Sequence, residues 1–206
     1  MSSLLNVRLY RALSFLALVL FLLPASAAPE VKIAALGTSF TNGRGVASSQ
    51  AYPARLEVKL RQRSINADVT NMGVNGDTTV DLLNRLEKIP AGTDLVIYEF
   101  ARGNDSRAGI SEEITKINSQ EIVRKLLGKN IKVLIVVRDQ IKERLDRRLS
   151  SYAATFTDQM VEIISIHQPA DKILHDREIW SHPTVEAHDE IAESMVAFVT
   201  RLLSKQ

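Results

Sequence analysis

Short apolar runs alternate with amphipathic helical stretches along the whole chain, and several of these runs end at a glycine-bearing loop. The first run, residues 33–36, stops at Gly37 and is followed at once by the hydroxyl of Ser39. Strands that alternate with helices indicate βαβ units and a parallel sheet with helices on both faces. We therefore predict an α/β fold with three αβα layers and a five-stranded parallel sheet in the flavodoxin-like order 2-1-3-4-5.

The hydrophobic periodicity gives approximate positions for these elements. We predict strands at residues 33–36, 67–70, 94–100, 131–137 and 172–174. We predict helices at residues 53–64, 79–86, 111–128, 150–167 and 185–203, with Asp77 as the cap of the second and Ile114 and Ile117 on the apolar face of the third. The stretch 138–148 is highly charged and aperiodic, which indicates a surface loop or the frayed start of a helix.

The first 27 residues have the layout of a secretory signal peptide rather than of folded structure. Arg8 and Arg11 precede an apolar run at 12–23, and Ala25-Ser-Ala27 follows as a small-residue cleavage site. The run is shorter than the roughly 20 residues of a spanning helix, so no stable membrane anchor is expected. The sequence thus predicts a periplasmic or secreted protein with one domain at residues 28–206.

Charge and cysteine content exclude several classes of protein. Loss of the leader would leave 24 basic and 24 acidic residues, and no basic stripe with interleaved aromatic residues is present, so nucleic acid is not an expected partner. The chain has no cysteine, which excludes disulfides and thiol catalysis. Its histidines and nearby acids match no standard zinc spacing, so neither a metal nor another cofactor is predicted.

Four loops of the predicted fold carry side chains or glycines suited to acyl transfer. The loops that carry Ser39, Gly76 and Asn104 follow strands at the carboxyl edge of the sheet, where open α/β sheets bind ligands. A later loop carries His182. Ser39 taken alone fits a helix cap better than a nucleophile, since Ser is a preferred N-cap residue. Together, Ser39 can act as nucleophile and His182 as base, while the N–H groups of Ser39 and Gly76 and the Asn104 amide can form an oxyanion hole.

Four sequence blocks resemble those of the SGNH (GDSL-type) hydrolases. The blocks are 36–40 (Leu-Gly-Thr-Ser-Phe), 71–78 (Asn-x-Gly-x-Asn-Gly-Asp-Thr), 103–105 (Gly-Asn-Asp) and 182–183 (His-Pro). The similarity extends over residues 31–203 and points to the branch of periplasmic thioesterase I, lysophospholipase and arylesterase. It implies a serine esterase or thioesterase acting on a small acyl ester, with Ser39 as nucleophile, Gly76 and Asn104 as oxyanion donors and His182 as general base.

The sequence departs from the family pattern at three places. Thr38 replaces the family's Asp before the nucleophile, and Arg102 puts a long cation beside the predicted oxyanion hole. The family's Asp three residues before the histidine is Ile179 here. We take Glu178, one residue earlier, as the supporting acid. Its longer side chain can reach the His182 ring if the loop bulges by one residue. Asp176 and a backbone carbonyl are the alternatives.

Two other functions are left open, the first because of the displaced acid and Arg102, the second because the same chemistry can serve another acceptor. One is an SGNH-fold binding or accessory protein with weakened catalysis. The other is an acyltransferase or deacetylase acting on cell-envelope glycans. The sequence leaves the acyl chain length, the leaving group and the oligomeric state undetermined.

Overall fold

A computed structural model describes residues 30–167, 170–174 and 182–205. In it, five parallel strands form one sheet in the order β2-β1-β3-β4-β5, flanked by helices, as the sequence predicts. The strands are β1 (Val31–Gly37), β2 (Ala67–Gly73), β3 (Leu95–Glu99), β4 (Lys132–Asp139) and β5 (Val161–His167). The predicted leader and the acids Asp176 and Glu178 lie outside the described residues.

Seven α-helices connect or follow the strands in the described part of the chain. They are α1 (Ser39–Asn42), α2 (Tyr52–Gln62), α3 (Thr79–Asn84), α4 (Arg102–Arg107), α5 (Glu112–Leu127), α6 (Lys142–Ala153) and α7 (Val185–Ser204). Short 3-10 turns lie at Ser48–Gln50, Leu86–Lys88 and Ala170–Lys172. None of the helices within the described ranges has the length and apolarity needed to cross a membrane.

Each face of the sheet is covered by its own hydrophobic cluster. On one face, side chains of α2 and α7 such as Leu56 and Met195 pack against Ile33 and Ile97 of the strands. On the other, α3, α5 and α6 cover the alternate strand residues, with Leu82, Ile122 and Leu145 buried. Because β1, β3 and β4 are buried on both faces, their sequences are nearly continuous apolar runs.

Helix starts show which sequence signals determined local structure. Ser111 caps α5 by accepting a hydrogen bond from the Ile114 N–H, with two acids in the first turn, as predicted. The cap of α3 is Thr78, whose hydroxyl accepts from the Asp81 N–H, so the prediction of Asp77 was wrong. Asp77 instead forms an ion pair with Arg85, at 2.7 Å from Nε.

The second half of the chain differs from the prediction in three elements. Residues 161–167 are the fifth strand, not part of a helix, and they pair with β4 in parallel register. Their β-branched side chains favour a strand, although their spacing also fits a helical period. Ile173 lies in the predicted fifth strand, residues 172–174, and instead makes an isolated antiparallel bridge with Pro183.

The charged stretch 138–148 is also more regular than predicted. Its first two residues extend β4, and α6 begins at Lys142 with Leu145 as a buried anchor. Ile114 and Ile117, predicted on the inner face of α5, are 44% and 50% exposed. Thr115, Ser119 and Ile122 occupy the inner face instead. Because two of these three residues are polar, the apolar pattern of the sequence did not identify the buried face of the helix.

Candidate active site

Ser39 and His182 meet at the carboxyl edge of the sheet although 143 positions separate them in sequence. The His182 Nε2 lies 2.8 Å from the Ser39 Oγ, which is hydrogen-bond distance. Ser39 begins α1 immediately after β1, and its side chain is largely buried. His182 directly precedes Pro183 and Thr184, the residue that caps α7. The arrangement pairs a hydroxyl with a potential proton acceptor.

Ser39 is not the helix cap that its position also allowed. The residue before α1 is Thr38, and its hydroxyl makes no capping bond to the helix. Thr38 instead donates from both its N–H and its Oγ1 to the carboxylate of Glu99, at 2.7 and 2.8 Å. The Ser39 hydroxyl is therefore directed to His182 while its neighbour anchors the turn.

Glu99 holds the turn that carries Ser39. This carboxylate ends β3 and is completely buried. Besides the two bonds from Thr38, it accepts bonds from the Thr41 N–H at 3.1 Å and the Thr41 hydroxyl at 2.7 Å. The Nη2 of Arg138, near the end of β4, lies 3.6 Å from the Glu99 Oε1. The buried charge is thus matched by four donors and a cation, as a buried carboxylate requires.

Gly37 makes room for this network. A Cβ on Gly37 would lie 2.0 Å from the Thr41 Oγ1 and 2.5 Å from the Glu99 Oε2. Neither atom can retreat without breaking a hydrogen bond to the other. The glycine before Thr38 is thus needed for close approach of the turn to Glu99.

Asn104 lies in α4, and a buried aspartate fixes that helix. Asp105 accepts hydrogen bonds from the Thr79 N–H and hydroxyl, at 2.8 and 2.7 Å, and from the Thr115 hydroxyl at 2.7 Å. Its neighbour Asn104 donates from Nδ2 to the Asp77 carbonyl at 2.8 Å. Because an amide nitrogen has two hydrogens, one remains for a ligand.

The loop after β2 carries Gly76 and is tied to the turn after β1 by Arg85. The Arg85 guanidinium, largely buried, donates to the carbonyls of Met72 and Gly37 at 2.6 and 2.7 Å, as well as to Asp77. Gly76 has a φ of +89°, a conformation that favours glycine, and nothing lies within 4 Å of a Cβ built there. Backbone conformation alone accounts for this glycine.

A cavity of about 120 Å³ opens beside Ser39. It brings Ser39 and His182 together with Asn104, and Glu99 and Arg138 form part of its wall. Among the described residues, neither Gly76 nor Arg102 lines it. Of the predicted site residues, Ser39, Asn104 and His182 line one cavity, Gly76 is not part of its lining, and Glu178 lies outside the described residues.

The second described histidine near the site, His188, is buried in the hydrophobic core. Its Nδ1 accepts a hydrogen bond from the Tyr52 N–H at 3.2 Å, and its ring stacks on that of Tyr52. Burial lowers the pKa of His188 to about 4, and the charge of His182 contributes in the same direction. His167 contacts the Gln140 carbonyl through Nε2 at 3.1 Å. Both contacts are structural.

Sequence reasoning missed Glu99, Arg138 and Arg85, which organise the site. Glu99 and Arg138 follow apolar runs at the carboxyl ends of neighbouring strands, a signal that was available in the sequence. Arg85 gave no such signal, because it acts from the end of a helix. Within residues 30–167, 170–174 and 182–205, no group of three or more His, Asp or Glu side chains is placed to hold a metal ion.

Comparison with known proteins supports the resemblance seen in the sequence. The model of the GDSL-like Lipase/Acylhydrolase family matches residues 35–189. No curated protein gives a significant match. Among solved structures, the SGNH-hydrolase family esterase AlinE4 is 26% identical, with 87% of this chain and 100% of that chain covered and a TM-score of 0.62.

Two further structures share the fold at lower identity. TesA is 21% identical, with 83% of this chain and 99% of that chain covered and a TM-score of 0.68. The psychrotrophic esterase EstA from Pseudoalteromonas sp. is 18% identical, with 84% and 99% covered and a TM-score of 0.69. The family model confirms the predicted family, and these two structures share the predicted fold.

Proposed function

The chain belongs to the GDSL-like lipase/acylhydrolase family, and we propose that this carboxylic ester hydrolase cleaves small acyl esters or thioesters through an acyl-enzyme on Ser39. The observation that carries the proposal is the 2.8 Å contact between the Ser39 Oγ and the His182 Nε2, in a cavity that Asn104 also lines. A hydroxyl within hydrogen-bond distance of an imidazole nitrogen is the pair of groups that acyl transfer uses as nucleophile and base, and this supports the proposal.

In the proposed reaction, His182 accepts the Ser39 hydroxyl proton on Nε2 as the serine oxygen attacks the ester carbonyl. The tetrahedral intermediate collapses when the imidazolium protonates the leaving alcohol or thiol. Water then attacks the acyl-enzyme, with His182 again taking the proton and returning it to Ser39. The buried network beneath Thr38 and Thr41 keeps the serine in place, so little reorganisation accompanies the attack.

The proposed oxyanion donors are the Ser39 and Gly76 N–H groups and the Asn104 amide. Asn104 lines the cavity and has one amide hydrogen beyond its bond to Asp77. Removal of such a donor costs about 10²–10³ in kcat in a related reaction class. The weaker support is for Gly76, which does not line the cavity within the described part of the chain.

We assign the supporting acid to Glu178, with Asp176 as the alternative. The acid holds the imidazole tautomer and stabilises the imidazolium, and its loss costs about 10⁴ in kcat in a serine protease. Glu178→Gln should therefore lower kcat strongly. Asp176→Asn, which removes the alternative acid, should leave kcat close to that of the parent protein. Equal activity of Glu178→Gln and the parent protein would remove the assignment.

The hydrolase proposal is tested by active-site labelling and turnover. We expect a fluorophosphonate to label the parent protein but not Ser39→Ala, and short p-nitrophenyl esters to be cleaved only when Ser39 is present. Asn104→Ala should keep the label at a reduced rate. The proposal is wrong if the folded parent protein shows neither labelling nor Ser39-dependent cleavage.

A further inference from the structure

Positive charge is concentrated beside the Ser39 cavity, on α4, the end of β4 and α6. Five arginines line one cleft of about 250 Å³ there, which we term the arginine cleft. They are Arg102, Arg107, Arg138, Arg144 and Arg148. A sixth, Arg147, lines an adjoining cleft together with three of them.

The arginine cleft is continuous with the cavity that holds the nucleophile. Arg107 and Arg138 line both, as do Phe100 and Gly103 on the chain between β3 and Asn104. Arg107 also donates to the Asn104 Oδ1 at 2.8 Å. A ligand with its ester at Ser39 can thus extend directly among the guanidinium groups.

The carboxylates around the cleft do not balance its arginines in the described part of the chain. Asp139 pairs with both Arg144 and Arg148, and Glu112 lies 3.4 Å from Arg102. Glu99, the third acid, lies 3.6 Å from Arg138 and also accepts the hydrogen bonds of Thr38 and Thr41. No described carboxylate lies within the 4 Å ion-pair distance of Arg107. Five cations thus face three anions.

Crowding and burial make this excess costly without a ligand. The Arg148 side chain is 14% exposed, and its pKa is lowered by burial and by the charge of Arg102. The Nε of Arg102 is buried without a hydrogen-bond partner among the described residues. A guanidinium in such surroundings favours an oxyanion, whose geometry matches its planar fork.

We propose, on the basis of the proposed esterase function, that the natural substrate is an anionic ester whose carboxylate or phosphate group binds in the arginine cleft while Ser39 attacks the ester. Arg102 then has a role, because this departure from the family pattern lines the arginine cleft rather than the nucleophile cavity. The long side chain does not obstruct the proposed oxyanion site. It extends the binding surface beyond that site.

Two series of esters test the proposal. In the first, phenyl acetates carry a para methyl ester, carboxylate or phosphate, so that the anion lies on the leaving group. In the second, 4-nitrophenyl hydrogen glutarate is compared with its neutral methyl ester, so that the anion lies on the acyl group. The kcat/KM of each ester is divided by its rate constant for hydroxide-catalysed hydrolysis. In at least one series, we expect this ratio to be about tenfold higher for an anionic ester than for the neutral ester.

The charge preference should depend on salt and on Arg102. It should shrink at about 1 M salt, where the Debye length is about 3 Å. Arg102→Gln should lower the ratio of anionic to neutral kcat/KM. Arg124→Gln is the matched control, because Arg124 forms an ion pair with Glu121 on the distant α5 surface, and it should leave the ratio unchanged.

Ser39-dependent hydrolysis with no anionic preference in either series would overturn this inference and leave the esterase function standing. A preference that Arg102→Gln leaves undiminished would overturn it as well. Binding of phenyl phosphate and benzoate to Ser39→Ala, measured by calorimetry, tests the cleft without turnover. We expect at least one to bind, more weakly when Arg102→Gln is added. If no ester is hydrolysed, the esterase function fails, and this binding result decides for or against the anion site.

Discussion

Glu99 is a charged residue at a position that an apolar strand residue would normally occupy. Its carboxylate accepts bonds from the backbone and side chains of Thr38 and Thr41, on either side of Ser39. Thr38 and Glu99 together fix the turn that carries Ser39, because the loop residue donates to a carboxylate buried in the sheet. The Asp that the family has before the nucleophile is dispensable here for holding the turn, since its place is taken by a donor to Glu99.

We expect Glu99→Gln to destabilise the protein and to lower kcat. The amide would place a donor against groups that all donate to Glu99, and a buried group left unsatisfied costs about 1–3 kcal/mol, or more when charge is involved. Urea unfolding measures the loss, with Glu121→Gln on the exposed surface of α5 as control. An unchanged midpoint together with unchanged ester turnover would contradict the anchoring role.

At the scale of elements, the contact between α2 and α7 contains the buried His188. Its Nδ1 bonds to the first residue of α2, Tyr52, and its ring packs near Phe40 of α1. The ring therefore joins the helix after the Ser39 loop to the helix after His182. Protonation of His188 would put a charge in that apolar contact.

His188 should make the protein less stable in acid. Burial lowers its pKa from 6.5 to about 4 in the folded state. Its contribution is therefore fully present above pH 6.5 and is lost as the pH falls from there towards 4, because the unfolded chain binds the proton more readily. The whole loss is about 3 kcal/mol.

We expect His188→Asn to flatten this part of the stability profile. The Asn Oδ1 can still accept the Tyr52 N–H, while the titrating ring is gone. Urea unfolding between about pH 7 and pH 5 should show the parent protein losing about 2 kcal/mol more than the variant. Parallel profiles would show that His188 does not titrate across folding.

Local patterns predicted the elements that have a buried apolar side and an unambiguous period. The strands β1, β3 and β4 and the helices α2 and α7 fall in this class. The start of α5 was predicted from its capping residue Ser111, although its inner face was not. Ser39 and His182 lie together because their loops meet at one edge of the sheet. The residues of β5 were wrongly predicted as helix because Val161 and Ile164 also fit a helical spacing. Only its pairing with β4 distinguishes the two. Glu99 and Arg85 act through contacts between distant segments, which no local pattern contains.

For the whole molecule, the sequence predicts a mature domain with equal numbers of basic and acidic residues, and the structure places five arginines in one cleft beside the Ser39 cavity. We propose that residues 1–27 are a cleaved export signal and that residues 28–206 form one domain outside the cytoplasm. The observations that support this are the 12-residue apolar run at 12–23, the Ala-Ser-Ala site and the absence of cysteine. A cysteine-free domain needs no oxidative step after export.

Expression of the full sequence in a bacterium should therefore yield a periplasmic protein whose intact mass lacks the first 27 or 28 residues. The double variant Ala25→Leu with Ala27→Leu removes the small residues that the peptidase requires, so it should retain the leader and fractionate with the membrane. Arg124→Gln, which lies far from the leader in sequence, should be processed as the parent protein is. Recovery of the parent protein uncleaved in the cytoplasm would contradict export, since the small residues would then have no processing role.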